Sequence, residues 1–347
     1  MLMHLDLRSA ARRRVARASG VALLALACCT DAEGSGGDPG AGTGGAGGGP
    51  PPGASSASAG AGSTAASSGA AGGAGTGGGA PDGAAGSGGA PGGGGAGSGG
   101  MEPLPDITIW IAGDSTVANG QTPCPAGWGG QIAALFDERV TVVNSAVGGR
   151  SVRTWLYHVQ STMDDTGECA LERDASGEPV LQDRWVQMLD GMKAGDTLFI
   201  QFGINDGSRT CDRHVGIDAF KSSYGMMARA AQERGAHPVF VTPVSAIACN
   251  GSTARGTRGE YVTATHEAGE EHGAPVIDLH ERSVALYDEL GFCPVPGGDV
   301  SATTGGPVGE FFCDDHTHFS RSGAAQIARV VADAIREQGL DLAAYLR

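Results

Sequence analysis

The stretch that decides the fold reads Ile107-Thr108-Ile109-Trp110-Ile111-Ala112-Gly113-Asp114-Ser115-Thr116. Its first part is rich in β-branched and aromatic residues, which is typical of a strand buried on both faces of a parallel sheet. Gly113 ends the strand, and a polar turn follows. In open α/β sheets, catalytic groups collect beyond the carboxyl ends of strands, so Ser115 stands where a reactive side chain is expected. Considered alone, the four residues from Gly113 fit a surface turn that caps the next helix at least as well.

Strands and helices alternate downstream of this stretch. The sequence predicts further strands at 140–144, 197–202, 238–244 and 275–278. It predicts helices at 128–136, 217–234, 261–272 and 323–338. This alternation, without hairpin signals, favours a parallel sheet covered by helices on both faces. The acid-rich stretch 163–181 resembles an insertion and is assigned to no element.

The first 100 residues differ in kind from the rest. Residues 1–33 contain a basic run and then a short apolar run that reaches Cys28, which predicts an export signal. The sequence around Cys28 resembles the lipobox of bacterial lipoproteins, in which this cysteine is acylated. Residues 34–100 are almost wholly Gly, Ala, Ser, Thr and Pro, and we expect a disordered tether there. Residues 101–347 are then the single folded domain.

The net charge argues against nucleic-acid binding, and the cysteine count suggests disulfides. The first 100 residues carry equal numbers of acidic and basic groups, so the net charge of −15 belongs to residues 101–347. Such an acidic domain is a poor partner for nucleic acid. Six cysteines remain in it, and an even number in an exported chain suggests disulfides. We expect neighbours in sequence to pair, which gives Cys124–Cys169, Cys211–Cys249 and Cys293–Cys313.

Three later segments carry polar residues at similar positions in the fold. They read Asn144-Ser145-Ala146-Val147-Gly148-Gly149-Arg150-Ser151, Gly203-Ile204-Asn205-Asp206-Gly207 and Asp314-Asp315-His316-Thr317-His318. The first two follow predicted strands, and the third precedes the last helix. Each alone fits an ordinary turn. His316, His318 and the flanking acids also suggest a metal site, although the other histidines are scattered and supply no third ligand.

Taken together, the segments supply the parts of a serine esterase. Ser115 needs a base within hydrogen-bond reach, and His318 is the candidate. Asp315 would orient the imidazole and stabilise its charged form. The backbone N–H groups of Ser115 and Gly149 and the amide of Asn205 would form the oxyanion hole. The domain has no G-x-S-x-G motif, so the nucleophile elbow of the α/β-hydrolases is not the model.

The order GDST, NSAVGGRS, GIND, DHTH resembles the SGNH (GDSL-like) hydrolase superfamily, and it is most similar to rhamnogalacturonan acetylesterases and related carbohydrate deacetylases. The family's Ser, Gly, Asn and His fall on Ser115, Gly149, Asn205 and His318, and its Asp falls on Asp315. The resemblance implies a three-layer α/β/α sandwich with a five-stranded parallel sheet, flavodoxin-like in topology. It also implies that no cofactor and no metal are needed. Ile204 departs from the pattern, because those esterases usually carry His there.

The sequence therefore predicts an exported esterase that removes O-acetyl groups from a plant or microbial polysaccharide through an acetyl-Ser115 intermediate. We expect its partner to be an acetylated polysaccharide or oligosaccharide. We expect contact with a membrane only through a lipid at Cys28, and we expect a monomer. Asp114, Arg150 and Asp206 are the candidate substrate-binding residues.

Three alternatives stay open at this point. The first is a lipid or aryl esterase whose acyl pocket is lined by Phe311, Phe312 and Phe319. The second is a surface lipoprotein that binds sugar without catalysis. The third is a metal-dependent hydrolase centred on His316 and His318.

Overall fold

The structure, a computed structural model, describes residues 103–120, 124–295 and 305–347. All of them lie within the unit Gly93–Arg347. The predicted signal peptide with Cys28 and the predicted tether fall outside the described residues. In the described part of the chain, no helix is long and apolar enough to cross a membrane.

Five parallel strands form the central sheet. The strands of the described residues are β1 Ile107–Gly113, β2 Val140–Asn144, β3 Val159–Met163, β4 Cys169–Leu171, β5 Thr197–Gln201, β6 His237–Val241, β7 Cys249–Asn250, β8 Thr253–Ala254 and β9 Val276–Ile277. The sheet order is β2-β1-β5-β6-β9, and every neighbouring pair is parallel. The chain winds outward in one direction from β1 to β2 and in the other from β5 to β9. The crevice between β1 and β5 is therefore the topological switch point, where ligands of such sheets bind.

Helices cover both faces of the sheet, as the sequence predicts. They are α1 Val152–Leu156, α2 Asp183–Gly191, α3 Ile217–Gln232, α4 Gly259–His272, α5 Leu279–Glu289, α6 Gly306–Phe311 and α7 Arg321–Glu337. Side chains of α1 to α4 join one apolar cluster, and side chains of α5 to α7 join the other. The expected three-layer α/β/α sandwich is confirmed.

The first strand shows why the sequence specifies this layering. Ile109 and Ile111 point into the cluster under α7, whereas Trp110 and Ala112 point into the opposite cluster. Both isoleucines are fully buried. A strand that buries its side chains on both sides needs a continuous apolar run, which explains the lack of polar alternation. Truncating either isoleucine to alanine would cost about 2–5 kcal/mol of stability.

Two local predictions differ from the structure. The segment predicted as one helix at 128–136 forms two short 3-10 turns, Trp128–Gly130 and Ile132–Leu135. Its backbone packs closely against the turn after β1. A Cβ on Gly129 would lie only 2.6 Å from the carbonyl oxygen of Val117. The unassigned stretch at 163–181 contributes to an antiparallel hairpin of β3 and β4. A second small hairpin joins β7 to β8.

The disulfides connect cysteines in a different pattern from the predicted one. Cys124 pairs with Cys313, and Cys249 pairs with Cys293. Cys169 and Cys211 are unpaired thiols. The prediction that neighbours pair in order is therefore wrong. The first bridge joins residues separated by 189 positions, because the fold brings the segment after β1 beside the segment before α7.

Candidate active site

The candidate nucleophile stands on a tight turn at the carboxyl end of β1. The strand must end in glycine, because a Cβ on Gly113 would lie 2.7 Å from Cγ2 of Val117. The carboxylate of Asp114 holds the turn, since its Oδ1 accepts hydrogen bonds from the backbone N–H and the hydroxyl of Thr116. These contacts leave the side chain of Ser115 partly exposed at the switch point.

A buried chain of hydrogen bonds supports this turn from the next strand. The indole N–H of Trp128 donates to Oε1 of Gln201 at 2.8 Å. The amide of Gln201, the last residue of β5, donates in turn to the hydroxyl of Thr116 at 2.8 Å. Sequence reasoning missed both Gln201 and Trp128 as supports of the site. The signal for Gln201 is a polar residue at the end of a mostly apolar strand.

His318 lies between the candidate nucleophile and an acid. Its Nε2 lies 2.9 Å from Oγ of Ser115, and its Nδ1 lies 2.6 Å from Oδ2 of Asp315. The second oxygen of Asp315 accepts hydrogen bonds from the backbone N–H groups of Thr317 and His318, each at 2.7 Å. Three residues that the sequence places in one constellation are therefore in contact.

The surroundings of Asp315 favour its charged form. Burial alone raises the pKa of this carboxyl, but the hydrogen bonds from His318 and Thr317 outweigh burial, and the pKa of Asp315 lies below its ordinary value. The loop itself is tied to the domain by the disulfide from Cys313 to Cys124. The acid is thus ionised at neutral pH and fixed beside the imidazole.

This arrangement does not favour the metal alternative. Both ring nitrogens of His318 are already engaged by Ser115 and Asp315. His316 is exposed, and its backbone carbonyl accepts a hydrogen bond from the N–H of Ile247. Over the described ranges, no group of three or more His, Cys, Asp and Glu side chains could hold an ion together.

The glycine-rich segment after β2 lies along the end of β1. The backbone N–H groups of Ser145 and Val147 donate to the carbonyls of Ile111 and Gly113, which continues the sheet pairing past β2. A Cβ built on Gly148 would lie 3.6 Å from Cβ of Ser115. Gly149, at φ 74°, needs the left-handed conformation that glycine adopts without strain. The segment therefore presents its backbone, rather than side chains, to the candidate nucleophile.

Asn205 reaches the same place from the end of β5. Its amide nitrogen donates one hydrogen bond, at 3.0 Å, to the carbonyl of Arg150. A primary amide carries two hydrogens, so one remains for a ligand. The side chain is almost fully buried. The hydrogen bond to Arg150 places Asn205 against the glycine-rich segment that follows β2, where the predicted oxyanion hole lies.

We expect Asn205→Ala to lower kcat by about 100-fold to 1,000-fold, because the variant loses a preorganised donor to the oxyanion. KM should change little if that donor acts mainly in the transition state. Steady-state hydrolysis of p-nitrophenyl acetate would measure both constants. The exposed Asn250→Ala, in the β7–β8 hairpin, is the matched control. A fall in kcat of less than tenfold for Asn205→Ala would contradict the assigned role.

Comparison with known proteins identifies the family of the chain. The model of the GDSL-like lipase/acylhydrolase family matches residues 111–326. The chain belongs to this family. It is therefore a carboxylic ester hydrolase of the SGNH superfamily, as the motifs predict.

Relatives of this GDSL-like hydrolase include carbohydrate esterases. The probable rhamnogalacturonan acetylesterase YesY of Bacillus subtilis is 30% identical over 237 residues, which cover 67% of this chain and 94% of that protein. The rhamnogalacturonan acetylesterase RhgT of the same organism is 32% identical over 258 residues, covering 69% and 94%. The crystal structure of the B. subtilis YxiM protein superposes with a TM-score of 0.52 and 24% identity, over 69% of this chain and 59% of that one. That likeness shows the shared fold.

Two of the predicted substrate-binding residues of the GDSL-like hydrolase are internal. Asp114 and Asp206 are both fully buried, so neither carboxylate can meet a ligand at the surface, and the prediction is wrong for these two. Asp206 instead accepts hydrogen bonds from the backbone N–H groups of Val152 and Gly203, which joins the end of β5 to the start of α1. Burial raises the pKa of Asp114 to about 6 and that of Asp206 to about 7. Both are supports of the loops that carry the site.

We expect Asp114→Asn to remove part of the pH dependence of stability. The pKa of Asp114 is raised from 3.8 to about 6, so its contribution is greatest below the unfolded value and is lost as the pH rises to about 6. Asparagine keeps an oxygen for Thr116 and stays neutral. The difference in free energy of unfolding, variant minus wild type, should therefore increase by up to roughly 3 kcal/mol from about pH 4 to about pH 6. Above pH 6 the difference should stay constant.

Urea unfolding at a series of pH values would measure this difference, with the exposed Asp165→Asn as control. Two stability curves that stay parallel across the range would rule out a raised pKa for Asp114.

Arginines near the predicted oxyanion hole have different surroundings. Arg150 is partly exposed, and over the described ranges it has no acid within 4.0 Å, so its predicted contact with substrate stays a prediction. Arg153 instead donates to the carbonyl of Cys169 and lies 3.5 Å from Asp164. Arg213 was missed by sequence reasoning, yet its Nη1 lies 3.5 Å from Oδ1 of Asn205. It sits in an irregular loop, where no periodicity indicates which way a side chain points.

The aromatic residues near the loop that carries His318 do not form an acyl pocket. Phe311, Phe312 and Phe319 are at most 2% exposed and pack edge-on or tilted against one another. Tyr287 and Phe292 complete the cluster. These rings therefore belong to the core and pack beneath the loop that carries His318. They offer no surface to a long acyl chain.

Proposed function

We propose that this protein removes O-acetyl groups from a plant or microbial polysaccharide through an acetyl-Ser115 intermediate. The observation that carries the proposal is the contact of His318 with Oγ of Ser115 at 2.9 Å and with Asp315 at 2.6 Å. A hydroxyl is a weak nucleophile, and a base at this distance can take its proton during attack.

The reaction proceeds in two halves. Oγ of Ser115 attacks the acetyl carbonyl carbon while Nε2 of His318 takes the hydroxyl proton. The oxyanion of the tetrahedral intermediate faces the N–H groups of Ser115 and Gly149 and the amide of Asn205. His318 then gives its proton to the sugar oxygen as the ester bond breaks. Water attacks the acetyl-enzyme in the same way, and His318 returns the proton to Ser115 as acetate leaves.

Two observations support an acetylated carbohydrate over a lipid. The relatives YesY and RhgT carry the name rhamnogalacturonan acetylesterase and align with about two thirds of this chain. The phenylalanines that could have lined an acyl pocket are buried in the core. A small acyl group needs no such pocket, whereas a fatty acyl chain does.

The test is acetate release by the full chain from acetylated pectin, acetylated xylan and p-nitrophenyl acetate, each with and without EDTA. Ser115→Ala is the inactive comparison, and the exposed Ser252→Ala is the matched control. We expect release from at least one polymer that resists EDTA, persists in Ser252→Ala and is lost in Ser115→Ala. Long-chain p-nitrophenyl esters should be poor substrates.

The other outcomes separate the alternatives. Loss of release on chelation would favour the metal-dependent hydrolase. Preference for long-chain esters would favour a lipid esterase. Absence of release from every ester, with retained binding to a polymer, would favour the sugar-binding lipoprotein.

We further propose that the enzyme acts outside the cytoplasm, anchored by lipid at Cys28. The basic and apolar runs of residues 1–33 support export. The two disulfides of the domain are typical of an oxidising compartment. We expect the expressed full chain to partition with membranes and Cys28→Ser to become soluble. A wild-type chain found only in the soluble fraction would contradict the anchor.

A further inference from the structure

Two cysteines of the domain remain after the disulfides are assigned, and they face each other. Cys169 begins β4, and its sulfur lies 3.9 Å from the carbonyl of Thr210. Cys211 is the next residue of that loop, and its thiol is close enough to raise the pKa of Cys169. Cys169 is fully buried and Cys211 is partly exposed. The fold thus brings together two thiols that lie about 40 residues apart in the sequence.

Hydrogen bonds on either side of the thiols hold the two segments in place. The carboxylate of Glu168 accepts a hydrogen bond, at 2.7 Å, from the backbone N–H of Gly216. The guanidinium of Arg153 donates to the carbonyl of Cys169, also at 2.7 Å. The thiols therefore stay adjacent without a covalent bond, which raises the effective concentration of one thiol at the other.

We propose that Cys169 and Cys211 form a third disulfide, which cross-links the β3–β4 hairpin to the loop 207–216 when the chain meets a disulfide donor. The partly exposed Cys211 thiolate attacks the donor and releases one thiol from it. The sulfur of Cys169 loses its proton, attacks the mixed disulfide at Cys211 and releases the second thiol. The two cysteines lose two protons and two electrons in total, and the donor disulfide gains them.

The order of attack follows from the surroundings of each sulfur. Burial, followed by the neighbouring Cys211 thiol, raises the pKa of Cys169 to about 12, so this thiol is a poor first nucleophile. Cys211 is the sulfur that solvent and donor can reach.

The cross-link bears on the site because the same loop carries Arg213. Nη1 of Arg213 lies 3.5 Å from Oδ1 of Asn205, and its Nη2 lies 3.6 Å from the position of a Cβ on Gly149. A covalent bond at Cys211, two residues away, restrains this guanidinium beside the oxyanion hole. The β3–β4 hairpin thereby stabilises the position of the loop 207–216.

Peptide mapping of the full chain tests the proposal directly. The protein is incubated with oxidised glutathione, unfolded in the presence of iodoacetamide without reduction, and digested with trypsin. The expected product is peptide 154–173 linked to peptide 210–213, lighter by two hydrogens than the sum of the free peptides. Reduction should separate the pair.

Any other state of these peptides overturns the proposal. Separate peptides with alkylated cysteines, Cys211 carrying glutathione, or either cysteine joined to Cys124 or Cys249 would each do so. Cys211→Ala is the matched control, in which peptide 154–173 should be recovered alone and alkylated at Cys169.

A thermal measurement tests whether the bond constrains the fold. The oxidised wild type should have a Tm higher than that of Cys211→Ala by roughly 5 °C or more, because the bridge closes a long loop of the unfolded chain. Wild type that has not been oxidised should match the variant. Equal Tm values for the oxidised wild type and the variant would overturn the stabilising role.

Discussion

Replacing either Ser115 or His318 with alanine is expected to lower kcat by about 10,000-fold or more, and the double variant should be no slower than either single one. The reason is the 2.9 Å contact between Oγ of Ser115 and Nε2 of His318. The hydroxyl and the base act only as a pair. Once one of them is removed, removing the other should not lower kcat further. Both side chains are partly exposed rather than buried in the core, so the variants should fold.

Single-turnover and steady-state hydrolysis of p-nitrophenyl acetate would measure these effects. His316→Ala is the matched control for the histidine, because His316 is exposed and only its backbone makes the contact with Ile247. If the two single losses multiplied in the double variant, Ser115 and His318 would be acting independently, and the proposed mechanism would fail.

Much of this arrangement could be read from the sequence because it depends on chain order and strand ends. A parallel sheet places the carboxyl ends of its strands at one edge. Ser115 follows β1 and Asn205 follows β5, and these two strands are hydrogen-bonded neighbours. The spacing of Asp315 and His318 within one loop lets the acid contact both the ring and the backbone N–H of the histidine. Local spacing and strand adjacency were sufficient for these contacts.

Other features depend on the three-dimensional path of the chain and have no local signal. The disulfide from Cys124 to Cys313 spans 189 residues, and only the folded sheet brings those positions together. Asp114 and Asp206 look like surface turn residues in sequence, yet both are fully buried. Backbone N–H groups hydrogen-bond to both oxygens of Asp206, whereas in the described part of the chain only Oδ1 of Asp114 has a partner. Charge and turn propensity therefore predicted the wrong exposure for these carboxylates.

Asp315→Asn is expected to lower kcat by about 1,000-fold to 10,000-fold with little loss of stability. Oδ1 of Asp315 accepts hydrogen bonds from the backbone N–H groups of Thr317 and His318, and asparagine retains an oxygen for both. When the asparagine oxygen keeps these two contacts, the amide nitrogen takes the position of Oδ2, which faces Nδ1 of His318. The amide then donates to Nδ1, and the ring proton moves to Nε2. His318 in that tautomer cannot accept the proton of Ser115.

Comparison with Asp315→Ala separates two roles of Asp315, which are holding the loop and fixing the tautomer of His318. Alanine removes the acid but imposes no donor on Nδ1, so a fraction of the histidine keeps the productive tautomer. If the tautomer governs catalysis, asparagine should be at least as harmful as alanine, despite keeping the loop contacts. If Asp315 served only to hold the loop, asparagine would be nearly neutral and alanine harmful. The exposed Asp314→Asn carries the same change in charge one residue away and should leave kcat within about twofold of wild type. Because Asp315 is ionised at neutral pH, the comparison can be made there with the wild-type acid fully charged.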